Sequence, residues 1–177
     1  YKNAVAGGEG YWRITYDYES PESFVYSISV KEILDPDTVV VDAEPDPLKR
    51  SWGLVFEDVS PELVREKWHV DPKSWTTSEK SAWCTDKTVR IANYYWREDT
   101  TDTLLLLRDG STVWKSDSGP VDFVKERKGT REQWHAWVLV GDEPKPAEES
   151  LWPGQWLPII RIVGEEWVID GLKHRKG

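Results

Sequence analysis

The residues able to do chemistry are few and far apart. The chain has three histidines, His69, His135 and His174, and a single thiol, Cys84. Zinc needs Cys or His ligands grouped a few residues apart, and none of these four has a second one at that spacing. Cys84 sits between Trp83 and Thr85 with no histidine beside it in sequence, so it reads as a small buried hydrophobe rather than a nucleophile. Asp35, Asp37, Asp42, Glu44 and Asp46 lie in a proline-rich stretch, and such oxygen ligands suit Ca2+ or Mg2+. The stretch lacks the glycine and closing glutamate of an EF-hand loop, and turn-capping Asp side chains explain it more simply. There is no G-x-S-x-G, no phosphate-binding loop and no GxGxxG. Nothing singles out two of the 32 acidic residues as a glycosidase pair. No catalytic, cofactor-binding or metal-ligating residue is assigned, and no cofactor is expected. The remaining chemistry is that of the tryptophans. Trp12, Trp52, Trp96 and Trp114 fall on predicted strands, where exposed, coplanar rings would stack on sugars. As core and interface aromatics they would instead bury about 150–250 Å² each.

These residues must be positioned by strands. Residues 88–115 carry the strongest pattern. Val89, Ile91, Asn93 and Tyr95 alternate with Arg90, Ala92, Tyr94 and Trp96, which is strand periodicity. Residues 97–102 are expected to turn, Leu104–Leu107 to form a second strand, and Asp109-Gly110 a type I′ turn into Val113 and Trp114. This meander should lie at the centre of a sheet. Before it, Tyr11–Tyr18 and Phe24–Ile33 read as an antiparallel hairpin with one wet face. Thr38–Val41 reads as a short strand buried on both sides, and Ser51–Phe56 as another. Ser60 as N-cap, Pro61 at the first helical position and Glu62 start a helix that carries Leu63, Val64 and Trp68 inward and ends near His69–Pro72. A short second helix is expected around Ser78–Trp83. After the meander, Ser116–Pro120 is a loop and Val121–Lys128 a charged connector. Arg131–Val140 is a strand, residues 145–150 are polar, and Trp152-Pro153-Gly154 is a tight turn. Leu157–Val163 and Glu166–Asp170 pair through a corner at Gly164-Glu165. The expected class is α+β, predominantly antiparallel β, with about ten strands and one or two short helices. One β-rich domain over 1–177 is expected, with a possible sub-boundary near 72–87.

Composition narrows the function classes. The formal net charge is −9, which opposes a nucleic-acid-binding surface, since that needs clustered Lys and Arg to displace phosphate counterions. One cysteine cannot build a disulfide framework, which favours an intracellular or virion-interior setting. No apolar run reaches the roughly 20 residues of a membrane-spanning helix. The sequence has no Met and both ends read as cut, so a fragment of a longer chain is expected.

Several strings come in a familiar order. Gly10-Tyr11-Trp12-Arg13-Ile14-Thr15-Tyr16-Asp17-Tyr18 resembles a G-x-W-R-V-x-x-x-Y opening. Ile33–Asp42 resembles a dP-x-x-V-x-x-D step. Ile91–Trp96, the Asp-Gly-Ser-Thr-Val-Trp hairpin, and Trp152-Pro153-Gly154 through Leu157–Ile160, Gly164 and Asp170-Gly171 follow. The sequence resembles the portal proteins of short-tailed phages over most of its length. The resemblance implies a ring, normally of twelve subunits, at one vertex of the capsid, through which genomic DNA is packaged and ejected. It implies partners in capsid or scaffold, tail or head-completion proteins, and a terminase that docks on parts absent here. This piece would be the β-rich wing, ending before the helix that approaches the channel. It would be part of the virion, made in the host cytoplasm. A sugar- or ligand-binding β-module and an enzyme of unknown type are the competing classes. Solvent-facing coplanar Trp would mark the first, and a His grouped with Asp or Glu in one pocket the second.

Overall fold

The computed structural model describes residues 8–71, 83–85, 87–141, 143–169 and 172–176. Among the described residues, eleven strands, one α-helix and one 3-10 turn follow in the order β1 (Glu9–Tyr18), β2 (Tyr26–Ile33), the 3-10 turn (Pro36–Thr38), β3 (Val39–Val41), β4 (Trp52–Val59), α1 (Pro61–Trp68), β5 (Val89–Leu107), β6 (Thr112–Trp114), β7 (Phe123–Val140), β8 (Glu148–Trp152), β9 (Ile159–Val163), β10 (Glu165–Ile169) and β11 (Leu172–Lys176). All strand pairs are antiparallel. Sheet A has the order β2-β1-β9, and sheet B the order β3-β4-β5-β7-β8 with β6 also on β5; β10 and β11 pair with each other. The class is therefore α+β and mostly antiparallel β, as the periodicities required.

Two cores hold the layers. In the first, Tyr11 and Ile159 of sheet A and the linker residue Leu157 pack on Val55, Tyr95, Trp134 and Trp152 of sheet B. Gly53 on β4 is where the layers come closest: a Cβ there would stand 3.0–3.1 Å from Leu157 and Ile159 methyls. In the second, α1 inserts Val64 against Val89, Ile91 and Val140 on the same face of sheet B. The helix begins as its sequence dictates. Ser60 Oγ accepts from the Leu63 N–H, Pro61 occupies the first turn, and His69 closes the end in the left-handed region at φ 57°.

Several expectations are corrected. Residues 97–102 do not turn. β5 runs unbroken from Val89 to Leu107, because Thr100, Thr101 and Thr103 are β-branched and the whole run pairs with β7. The charged 121–128 connector is mostly strand for the same reason: β7 begins at Phe123, and its Lys, Glu and Arg side chains are simply exposed. The Asp-Gly turn is not type I′. Gly110 N–H bonds Leu107 O, the Leu107 and Ser111 backbones pair, and only Gly110 takes positive φ, at 85°. That is a three-residue loop with glycine at its left-handed position. β2 has no buried face, since all its residues but Ile33 are exposed. β3 is an edge strand with Val40 exposed, not a doubly buried one. Leu63 lies exposed on α1. The end of the polar 145–150 stretch, from Glu148, forms β8 together with Leu151 and Trp152, so the bend expected at Trp152-Pro153-Gly154 begins only after Trp152. β9 pairs with β1, not with the strand after Gly164, whose partner is β11. Of the second helix expected at 78–83, residues 78–82 lie outside the described residues, and Trp83 is in a turn.

Candidate assembly surface

Two of the clefts among the described residues each hold an arginine bound to a nearby carboxylate. The first, about 190 Å³, lies between the sheets and is lined by Arg13, Thr15, Asn93, Tyr95 and Trp152 among others. β1 alternation turns Arg13 and Thr15 toward sheet B, and β5 alternation turns Asn93 and Tyr95 to meet them. Arg13 Nη1 donates to Glu57 Oε1 at 2.7 Å, and Asn93 Nδ2 donates to the same oxygen at 3.2 Å. Burial pushes the Tyr95 phenol up, so it stays neutral at physiological pH. A paired guanidinium, a doubly engaged carboxylate and a neutral phenol interlock two layers. In the second cleft, about 220 Å³, Arg90 donates through Nε and Nη2 to the two oxygens of Asp58 at 2.9 and 3.0 Å. That fork holds the Asp58 carboxyl below its usual range and raises the Arg90 guanidinium.

The acidic stretch 35–46 is spent on turns. Asp35 Oδ1 accepts from the Asp37 N–H at 3.0 Å, and Asp46 Oδ1 from the Leu48 N–H at 3.1 Å. Asp42 accepts from the Ser51 hydroxyl at 2.6 Å and the Ser51 N–H at 2.9 Å, and these bonds, the hydroxyl first, lower its pKa. Among the described residues no three His, Cys, Asp or Glu side chains converge as metal ligands. His69 is the helix C-cap and His174 lies on β11. Cys84 is half-buried and bridges to Val89. His135 stacks on Trp96 with 4.3 Å between ring centres, its Nε2 3.3 Å from Glu98 Oε2. This His–Glu neighbour pair is a cross-strand contact on β5 and β7, and neither cleft includes it.

The strand tryptophans do not form a solvent-facing platform. Trp12, Trp52, Trp96 and Trp114 are all half-buried. Trp96 meets Trp137 edge to face at 5.3 Å as well as stacking on His135. Among the described residues whose burial is defined, Trp156 is the exposed tryptophan, and one ring makes no coplanar pair.

What the surface does expose is strand. β2 pairs only with β1, so its outer edge is open among the described residues. Phe24 (95% exposed), Ile28 (74%), Tyr26 and Val30 stand along it in water. β7 pairs with β8 only over Trp134–Val138, which leaves the edge of its 123–133 half open too. Open edges and uncovered apolar side chains are the raw material of protein–protein contact. Sequence periodicity flagged the apolar side of β2 but read it as core; the length of β7 had no apolar signal to reveal it.

A strand-built body with self-paired charges and open edges has the make-up of an assembly module. The chain belongs to the phage P22-like portal protein family, whose sequence model matches residues 1–177. It is 22% identical over 202 residues to the portal protein of Acyrthosiphon pisum secondary endosymbiont phage 1. The match takes in all of this chain but 28% of that protein's length. Its role is that of a structural piece of a phage portal.

Proposed function

We propose that this chain is the β-rich wing of a ring-forming portal, one domain over residues 1–177, set at the portal vertex of the virion outside the path of the genome. In the complete protein the ring passes DNA into the head during packaging and out during ejection. This portion supplies shape and contacts to neighbouring copies and to capsid or scaffold, while the terminase docks elsewhere. The observation that carries the reading is the family match along the whole chain. The geometry is in keeping with it: Arg13 and Arg90 in the two clefts are each bound to a carboxylate, Glu57 and Asp58. The acidic balance supports a domain that DNA passes without adhering, because a net −9 surface gains nothing from phosphate counterion release. The test is negative-stain electron microscopy of the full-length protein. Rings with a central hole support the reading; a monodisperse monomer under conditions where the protein is folded overturns it.

A further inference from the structure

Sheet A turns an apolar face outward. The β1–β2 register puts Ile14 opposite Val30, Tyr16 opposite Ile28 and Tyr18 opposite Tyr26, and the β1–β9 register puts Trp12 opposite Ile160. Directly opposed residues of antiparallel strands share a face, so these side chains form one surface. Ile28 is 74% exposed, Val30 57%, Tyr26 55%, Tyr18 49% and Ile160 41%. Tyr16, at its margin, reaches Trp152 with 5.3 Å between ring centres and is half-buried. On the order of 500 Å² of this face meets water, the scale of the largest patches monomeric proteins carry.

The other face of the same strands is polar. Arg13, Thr15 and Asp17 alternate with those residues on β1, and they stand opposite Lys31, Ser29 and Ser27 on β2. Arg13 binds Glu57 of sheet B, so the polar face is the one turned toward the second layer. A two-layer antiparallel protein normally sets apolar side chains between the layers and polar ones outside. Along β2 and the half of β1 that pairs with Ser27–Lys31, that order is reversed. A sheet with this distribution has the make-up of a middle layer.

We propose that an apolar segment of the same portal polypeptide, outside residues 1–177, packs over this face of sheet A as a third layer. The inference rests on the portal reading above. This chain spans 28% of the length of the portal protein it matches, so on that reading most of the polypeptide lies outside the two-sheet body. The chain also enters and leaves that body at sheet A. Glu9 on β1 pairs with Val163 on β9, and the Gly164 N–H donates to Gly8 O at 3.0 Å. From that corner, Ile14 and Val30 lie about 20 Å away at roughly 3.3 Å per residue. Flanking polypeptide tethered so close acts at high effective concentration and needs little intrinsic affinity. A second copy presenting this same face would make a two-fold contact, which closes a dimer and does not pass round a ring. Of the residues that the registers place on the face, Glu32 opposite Trp12 is the charged one, so the segment that fits is apolar rather than basic or acidic.

The test uses the full-length protein with a photo-reactive side chain on the face, Tyr26→p-benzoylphenylalanine, irradiated in assembled rings. The expected product runs at monomer mass on a denaturing gel, and mass spectrometry finds the probe joined to a peptide outside residues 1–177. A product at twice the monomer mass identifies a neighbouring copy as the cover. A link to a peptide within residues 1–177, or a probe joined to nothing, shows that the third layer is absent. Each of these overturns the inference and leaves the portal reading standing. Should the substituted chain fail to assemble where wild type succeeds, hydroxyl-radical footprinting of the wild-type protein decides. Tyr18 and Tyr26 are then oxidised about tenfold more slowly than in the urea-unfolded chain, before ring assembly as well as after it. Protection that appears only on assembly, or none at all, overturns the inference. Wild-type protein that forms no rings overturns the portal reading itself.

Discussion

At the residue scale, Trp134 shows what the aromatic content is for. Its ring is buried between the sheets, and its Nε1–H donates to Gln155 O at 3.1 Å, fixing the chain that leads into β9. Trp134→Ala should lower stability by about 3–5 kcal/mol, measured by urea melts with unchanged slope, because it opens a cavity and orphans a carbonyl. A loss under about 1 kcal/mol would mean the layers do not depend on this contact. The carboxylates make a second prediction. Asp42, Asp58, Asp102 and Asp109 are all held below their usual range, chiefly by hydrogen bonds from Ser51, Arg90, Ser116 and Ser111. A group with a depressed folded pKa stabilises above its unfolded value and loses that contribution as pH falls through the folded one. Melting temperature should therefore be flat near neutrality and drop below about pH 4, the ordinary Asp range. Asp102→Asn should shallow that drop, since the carboxylate that Ser116 serves is then gone. A steeper fall for the variant would contradict the assignment. Turn-capping was legible here from residue type alone. The Arg13–Glu57 and Arg90–Asp58 pairs were not, because each joins strands that only the tertiary register brings together.

Elements divide by what the sequence could say locally. The Ser60-Pro61-Glu62 helix start and the β1–β2 hairpin were readable, since caps and alternation act within a few residues. The long ribbon was not. Its distal half, 97–107 with 123–133, is charged and Thr-rich, and it becomes strand because each side supplies the other's hydrogen bonds. β2 misled in the opposite sense: its alternation promised a buried face, and all its residues but Ile33 are exposed. The ribbon can be tested by Thr100→Pro, which removes an N–H from the middle of the β5–β7 ladder where Thr100 faces Arg131. Hydrogen exchange should rise several-fold at residues 98–104 and 127–133 while the Val89–Tyr95 amides, backed by both cores, keep their protection. Uniform loss of protection through β5 would show that the ribbon is not separable from the body. Ser60→Ala should cost about 1 kcal/mol by removing the Leu63 cap.

For the whole molecule, the wing reading sets a limit on what this portion does alone. Contacts made by this portion become effective when the rest of a portal holds neighbours at high local concentration. The isolated 1–177 chain should therefore scatter light as a monomer at micromolar concentration, and it should fail to retain duplex DNA at physiological salt. A stable ring of this portion alone, or salt-sensitive DNA retention, would contradict the division of labour. The family was legible in scattered strings along the sequence, whereas the assembly surface was not, because uncovered apolar strand looks like core until the layers are placed. The most direct measurement is a cryo-electron reconstruction of the full-length protein. The account predicts a ring in which this strand-built body sits on the outer rim. A body that lines the central channel, or a complex with no ring symmetry, would contradict it.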